Sequence, residues 1–250
     1  MRELLKAEFY KMLKNKYIFI LLISVLLYDV MFFGLLYTDY FFDGNLDVTG
    51  AGVIIQQGFD DFLLIVLAIM TANIVSIDFQ SMRVRNILAK GYSKMCVYLS
   101  KLIVCSLTMV LTFLLSRILL VFSATSMWGF DENKIFNFEG LGIFILMFIL
   151  LTIAYASVFI FLAFSAKTTG KAVMCNILFL LFFPFILMLI SAIFRMEIDI
   201  SKFYMAPCLE KLATYTPLTR DIFVGFLVFG TYTILPTFFG MYLFNRNDVE

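Results

Sequence analysis

The sequence predicts an all-α polytopic membrane protein, a single domain over residues 1–250 with six transmembrane helices. Two observations predict it. Of the 250 residues, 62% are hydrophobic and 15% charged, where a soluble domain has about 45 to 50% and about 25%. A soluble fold of this length has too little interior for so much apolar surface, whereas a lipid-facing one needs no polar cover. The apolar residues also gather into six long runs. Each has about 20 residues, enough for a helix rising about 1.5 Å per residue to cross about 30 Å of hydrocarbon with its backbone groups paired internally.

The runs are Tyr17 to Tyr37, Phe59 to Phe79, Val97 to Phe122, Leu141 to Phe164, Ala172 to Phe194 and Ile222 to Phe244. The second has an uncharged core only from Phe62 to Ile77, between Asp61 and Asp78, so it must sit short, tilted or shielded by neighbours. Residues 1–16, ahead of the first run, place Leu5, Phe9, Met12 and Leu13 at helical spacing with Lys6, Lys11 and Lys14 on other faces. Such a segment suits an interfacial helix lying in the headgroup plane; a plain basic flank is the other reading. The first run is too long for the apolar core of a signal peptide and lacks a small-x-small exit, so it reads as retained. Pro184 and Pro236 fall inside spans five and six, where a missing backbone donor favours a kink. Before span six, Pro207 and Pro217 bracket a short helix, Leu209 to Tyr215, with Leu209, Leu212 and Ala213 on one face. It suits a segment that dips into the outer leaflet or caps a cavity.

Lysine and arginine collect on one side of this topology. Arg2, Lys6, Lys11, Lys14 and Lys16 precede span one; Arg83, Arg85, Lys90 and Lys94 lie between spans two and three; Lys167 and Lys171 follow span four, and Arg246 follows span six. The opposite side has none between Thr38 and Gly58, then Lys134, and then Arg195, Lys202, Lys211 and Arg220. The bias places both termini in the cytoplasm. The first outer loop carries Asp39, Asp43 and Asp47 with Gly44, Gly50 and Gly52, a solvated turn region.

Several function classes fall away. A formal net charge of +1 gives no basic excess for nucleic acid. The absence of histidine removes the usual general base and metal ligand, and no span holds an adjacent acid pair, which argues against an intramembrane protease or lipid transferase. Cys96, Cys105, Cys175 and Cys208 form no CxxC pair, and only Cys208 falls on the outer side, so neither a disulfide nor a zinc site is expected. No phosphate-binding G-x-x-x-x-G-K-[ST] exists: before Gly170 and Lys171 the first glycine position is Ser165, and Ala172 follows. The chain is therefore expected to bind no cofactor of its own.

Three ionisable residues lie within or at the ends of spans. Asp29 is mid-bilayer in span one, where a bare carboxylate is costly and must be protonated, paired or wet. Arg117 lies toward the outer leaflet in span three. The two can pair if spans one and three are neighbours; otherwise Arg117 snorkels to headgroups and Asp29 bonds to Tyr or Ser hydroxyls. Asp78, at the inner end of span two, reads as an interfacial cap. An ion-driven carrier or channel using Asp29 as a proton site is the alternative function, although no repeat of interrupted spans supports it.

The most informative stretch is Asp78 to Lys101, DFQSMRVRNILAKGYSKMCVYLSK. Span two ends at an acid, a short basic element carries Val84, Ile87 and Leu88, Gly91 permits a turn, and Ser93 can cap the next helix. Exposed apolar residues rimmed by Arg83, Arg85 and Lys90 suit a docking surface, though a basic cluster also serves as a topology signal. This stretch resembles the loop between spans two and three of ABC-2 type transporter permeases: an acid and Phe, Gly-Thr, a basic residue, Leu, Gly, Ser, Arg, and a Lys in the next helix. Here the matching residues are Asp78, Phe79, Arg85, Leu88, Gly91, Ser93, Lys94 and Lys101. Met82 and Arg83 replace the Gly-Thr pair, and Lys94 replaces the Arg. Phe244, Arg246, Asp248 and Val249 also resemble the family's ending after span six.

The resemblance implies a non-catalytic permease subunit in a bacterial plasma membrane. Residues 1–16 would be its elbow helix and the 83–94 segment its coupling helix. Arg83, Arg85, Ile87, Leu88, Lys90, Gly91 and Lys94 would then dock an ABC ATPase that holds ATP and Mg, beside a second permease, identical or different. In size and Phe/Ile/Lys-rich character the chain is similar to permeases of antimicrobial-peptide (lantibiotic-type) immunity, which implies an exporter of peptide or of an amphipathic, lipid-like substrate.

Overall fold

The computed structural model describes residues 1–43, 53, 60–129, 138–193, 203–212 and 219–246, and among these it is all-helical. Helix α1 (Arg2–Lys14) meets α2 (Lys16–Asp43) at Asn15. There the backbone turns extended, and the Asn15 side chain accepts from the Tyr17 amide at 3.1 Å, a local cap that starts the second helix. Then follow α3 (Asp61–Gln80), α4 (Arg83–Ala89), α5 (Lys94–Trp128), α6 (Phe138–Ala166), α7 (Thr169–Ile193), α8 (Met205–Leu212) and α9 (Thr219–Arg246). Six of them, α2, α3, α5, α6, α7 and α9, are long and apolar enough to cross a membrane, one for each expected span.

Three boundaries differ from expectation. Helix α2 continues past the expected Tyr37 to Asp43, so Asp39 and Asp43 of the expected turn region are helical. Helix α5 has 35 residues rather than the expected run from Val97 to Phe122. Ser93 caps it early by accepting from the Cys96 amide at 3.3 Å, and no breaker intervenes until Gly129, whose φ of 77° ends it. At about 1.5 Å per residue it is roughly 52 Å long, so it outreaches the hydrocarbon. Helix α8 starts at Met205, ahead of the expected Leu209, and Pro207 sits in its first turn, where its missing N–H breaks no helical bond. Met205, Cys208, Leu209 and Leu212 are buried as one face against α6 and α9, so α8 covers the bundle. Ala213, Tyr215 and Pro217 lie outside the described residues, as do 44–52, 54–59, Lys134, Arg195, Lys202, Asp248 and Val249.

The helices divide into centre and periphery. In α3 and α6, 67% of the membrane-crossing window is buried, against 6% in α7 and 11% in α9. Helix α6 packs against α3, α5, α7, α8 and α9, while α3 also touches α2, α4 and α7. The short, acid-flanked second span is thus shielded by its neighbours. Near its end the rings of Phe79, Phe164 and Phe244 meet edge to face at 5.0 to 6.0 Å, and Tyr98 adds a ring 4.7 Å from Phe164. This aromatic knot joins α3, α5, α6 and α9. Tyr98 fits only because Gly240 has no side chain; a Cβ there would overlap its ring. A buried Asn176 on α7 donates to the Ala68 carbonyl of α3 at 3.1 Å, a polar contact between two apolar helices.

Candidate functional site

The segment between α3 and α5 begins with a strained residue. Met82 has φ 55° and ψ 13°, the left-handed conformation that glycine adopts freely and that costs an L-residue about 1–2 kcal/mol. It stands where the resembled loop has the glycine of its Gly-Thr pair. At the other end Gly91, at φ 88°, supplies the expected turn. Between them α4 lies across the ends of α3 and α5 and is anchored by Val84, which is buried.

The outward face of α4 is more polar than expected. Ile87 and Leu88 are half-buried and pack against the core. A seven-residue helix has little to hold it except its apolar stripe, so that stripe turns inward. Arg83, Arg85, Asn86, Ala89, Lys90 and Gly91 are exposed. Lys94 is half-buried and donates to the Asn245 carbonyl at 3.1 Å, which fixes the start of α5 to the end of α9.

Behind α4 lies a buried ionic cluster. Asp78 is 3% exposed, and its carboxylate takes Lys101, Lys11 at 2.9 Å and Arg83 at 3.4 Å. Lys101 is 2% exposed; its ammonium also meets Glu8 at 2.8 Å and donates to the Ile74 carbonyl at 3.1 Å. Lys11 pairs with Glu8 as well. Two carboxylates and two lysines thus balance, with Glu8, Asp78 and Lys101 in the interior and Lys11 and Arg83 toward the rim. Asp78 is therefore no simple cap: it stands before the helix end, and its side chain faces α1 and α5 instead of the open terminus. The cluster ties together α1, α3, α4 and α5.

Glu8 was not legible as a partner. The expected apolar face of α1 ran through Leu5, Phe9, Met12 and Leu13, but Leu4 and Glu8 are buried, Met12 is half-buried and Leu13 is exposed. The available signal was Glu8 one turn after Leu4 and three residues before Lys11.

A second polar network occupies the other half of the same helices. Asp29, buried on α2, accepts from Ser116 Oγ of α5 at 2.8 Å. Tyr28 donates to Asp60, which caps α3 by accepting from the Phe62 amide at 2.9 Å, and the Tyr28 and Phe62 rings stack at 4.4 Å. Arg117 lies beside this group and interacts electrostatically with Asp60 and Asp29. Spans one and three are indeed neighbours, and Asp29 uses a hydroxyl at its Oδ1. Lys101 and Arg117 are sixteen residues apart on α5, so the networks are separated by roughly 24 Å along the helix.

The family model described as ABC-2 family transporter protein matches residues 4–180. The chain belongs to the ABC-2 transporter family. It is a multi-pass transmembrane subunit of an ABC transporter, from a family that generally works with an ABC ATPase. No curated protein and no solved structure gives a significant match. The matched region of this ABC-2 subunit starts within α1, contains both polar networks, and stops within α7.

Two apolar cavities open between helices of this ABC-2 subunit. One, of about 420 Å³, lies between α5 and α6 and includes Arg117, Phe122, Phe144 and Phe148. The other, of about 520 Å³, is framed by Phe179 and Phe183 of α7, Tyr232 of α9 and Phe203. Tyr204, just ahead of α8 and outside that wall, has its ring 6.0 Å from Phe183, and burial pushes its phenol up to about 12.

Proposed function

We propose that this subunit forms one half of an ATP-driven export path and receives the stroke of its ATPase at α4. In this reading both termini are cytoplasmic, α1 is the elbow helix and α4 the coupling helix. A second permease, identical or different, completes the path, and ATP and Mg remain on the ATPase. The observation that carries the reading is mechanical. Helix α4 offers Arg85, Asn86 and Lys90 to a partner, while Val84 and the Arg83–Asp78 contact join it to a cluster that also grips α1, α3 and α5. A push on α4 cannot move one helix alone.

The substrate we favour is an amphipathic peptide or lipid-like molecule, exported or extracted from the bilayer as in antimicrobial-peptide immunity. The aromatic cavity bounded by α6, α7 and α9 supports this, because it combines apolar walls with the hydroxyl-bearing side chains Thr231 and Tyr232. The test replaces Arg85 by Glu in the complex purified with its ATPase and reconstituted in liposomes. Insertion should persist, because Arg85 is exposed, while substrate-stimulated ATP hydrolysis and transport should fall at least about tenfold, the size of one lost interfacial charge contact. Unchanged coupling in this variant overturns the assignment of α4.

A further inference from the structure

A cavity of about 560 Å³ opens beside the buried ionic cluster, between the α1–α2 corner and the ends of α3 and α5. Its charge is unbalanced. Of the cations in its wall, Lys11 and Lys101 are matched by Glu8 and Asp78. Lys14, Lys16 and Arg83 line the same space beyond that balance. Lys14 and Lys16 are exposed, with the Lys14 ammonium over the Tyr10 ring at 4.7 Å. Arg83 spends one edge of its guanidinium on Asp78 at 3.4 Å and is otherwise open to the cavity.

The position of the cavity narrows the ligand. It lies where α1 turns into the first membrane-crossing helix, at the end of α3, which is the depth of lipid headgroups. Tyr10 and Tyr17, both in its wall, are 59% and 60% exposed. Tyrosines of this kind settle at the headgroup level, with the ring toward the chains and the hydroxyl toward water. The wall also includes Ile74 and Ile77 of α3, so the cavity has an apolar side for the start of an acyl chain as well as a cationic side for a phosphate.

We infer that this cavity is a binding site for the phosphodiester headgroup of an anionic phospholipid, held by Lys14, Lys16 and Arg83. Its occupant would sit against α1, α3 and the residue that starts α4, so the local lipid would stabilise the cluster on which the helices pivot. The inference requires only that the chain spans a membrane; it stands or falls separately from the role of α4 as the ATPase contact.

The experiment is native mass spectrometry of the purified full-length subunit released from micelles supplemented with phosphatidylglycerol or phosphatidylcholine. The wild type should retain one phosphatidylglycerol at detergent concentrations that strip phosphatidylcholine. The K14Q/K16Q double variant and, separately, R83Q should each weaken that retention by about fivefold or more, since each cation near a lipid phosphate contributes on the order of one such factor. A K171Q variant, whose lysine is outside the cavity wall, should retain the lipid as the wild type does. Thermal unfolding of the same variants, with and without phosphatidylglycerol, gives an independent reading: the lipid-induced rise in melting temperature should shrink in K14Q/K16Q and in R83Q but not in K171Q. Equal retention of both lipids by the wild type, or undiminished retention in both cavity variants, overturns the site. Displacement of phosphatidylglycerol by millimolar inorganic phosphate would make it a free-phosphate site and overturn the lipid assignment.

Discussion

Replacing Lys101 by Met removes the more deeply buried of the two ammoniums that Asp78 and Glu8 share, while keeping an unbranched apolar stem of similar length. In the wild type all three groups are nearly sealed, at 2% exposure for Lys101 and 3% for each acid. The variant leaves two buried carboxylates with Lys11 between them and Arg83 at 3.4 Å on the rim. Removing one partner of a buried pair costs about 3–5 kcal/mol, because the penalty of the stranded charge exceeds the attraction that was lost. Lys101 serves two acids and the Ile74 carbonyl, so the upper part of that range is expected. Asp78→Asn should cost less, about 1.5–3 kcal/mol, since the Lys11 side chain is already 31% exposed and can turn to water. Arg83→Met, at a side chain 52% exposed, should cost less than about 1 kcal/mol. The double variant Lys101→Met/Asp78→Leu should recover part of the single-variant loss, because it removes both signs together. Unfolding in mixed micelles, followed by the fluorescence of the lone Trp128 at the far end of α5, measures each difference. A loss for Lys101→Met no greater than for Arg83→Met would refute the cluster as a structural joint, and so would a double variant less stable than the sum of the singles.

Three further outcomes follow from particular contacts. Met82→Gly should raise stability by up to about 1 kcal/mol, the left-handed strain of about 1–2 kcal/mol less the extra chain entropy of glycine, whereas Met82→Val should lower it; thermal unfolding in micelles that ranks the two in the opposite order rejects the turn. Gly240→Leu should cost at least about 1–3 kcal/mol by forcing the Tyr98 ring out of its place, and an unaltered melting temperature would show that α5 and α9 do not meet this closely. Cys208 sits on the face of α8 that is buried against α6 and α9, and burial pushes its thiol up to about 11 from 9.0. Because the folded value is the higher one, the folded chain holds this proton more tightly, so any stability it contributes is intact below pH 9 and is lost as pH rises toward 11. With Cys208 as the sole cysteine, maleimide labelling at pH 8 should run about 100-fold slower than in the denatured chain and climb about tenfold per pH unit; fast labelling at pH 8 would mean that α8 does not bury this face against the bundle.

The spans were legible because length and hydropathy act locally: twenty apolar residues must cross as a helix whatever surrounds them. Gly91 and Ser93 were legible for the same reason, one needing a positive φ and the other offering a cap within three residues. The ionic cluster was not. Lys11, Asp78 and Lys101 each looked sensible alone as a flanking charge, a helix-end acid and a helix-start lysine. Only the docking of α1 on α5 reveals that they share one point with Glu8. The same holds for α4, whose apolar residues can be counted from sequence but whose inward turn depends on where the ends of α3 and α5 lie. In a chain this apolar, hydropathy cannot tell lipid-facing from protein-facing residues, so the central place of α3 and α6 had no local signature.

The placement of the two networks bears on how force would travel. Both involve α3 and α5, one through Asp78 and Lys101 and the other through Asp60 and Ser116, and they differ in the third element, α1 in the first and α2 in the second. Helices α1 and α2 are themselves joined at the capped corner of Asn15. These four elements therefore close a loop pinned at both ends, and such a loop rotates as a body more easily than it shears, because shear would strand buried charges at one end or the other. On the opposite side α3 meets α7 through Asn176 and the aromatic knot through Phe79, contacts with few ionic constraints. If α4 is pushed, the seam between α3 and its α6, α7 and α9 neighbours is where relative motion costs least. Crosslinking α3 to α7 through Ala68→Cys and Asn176→Cys should then arrest transport while ATP binding persists, and a crosslinked complex that still transports would place the moving seam elsewhere.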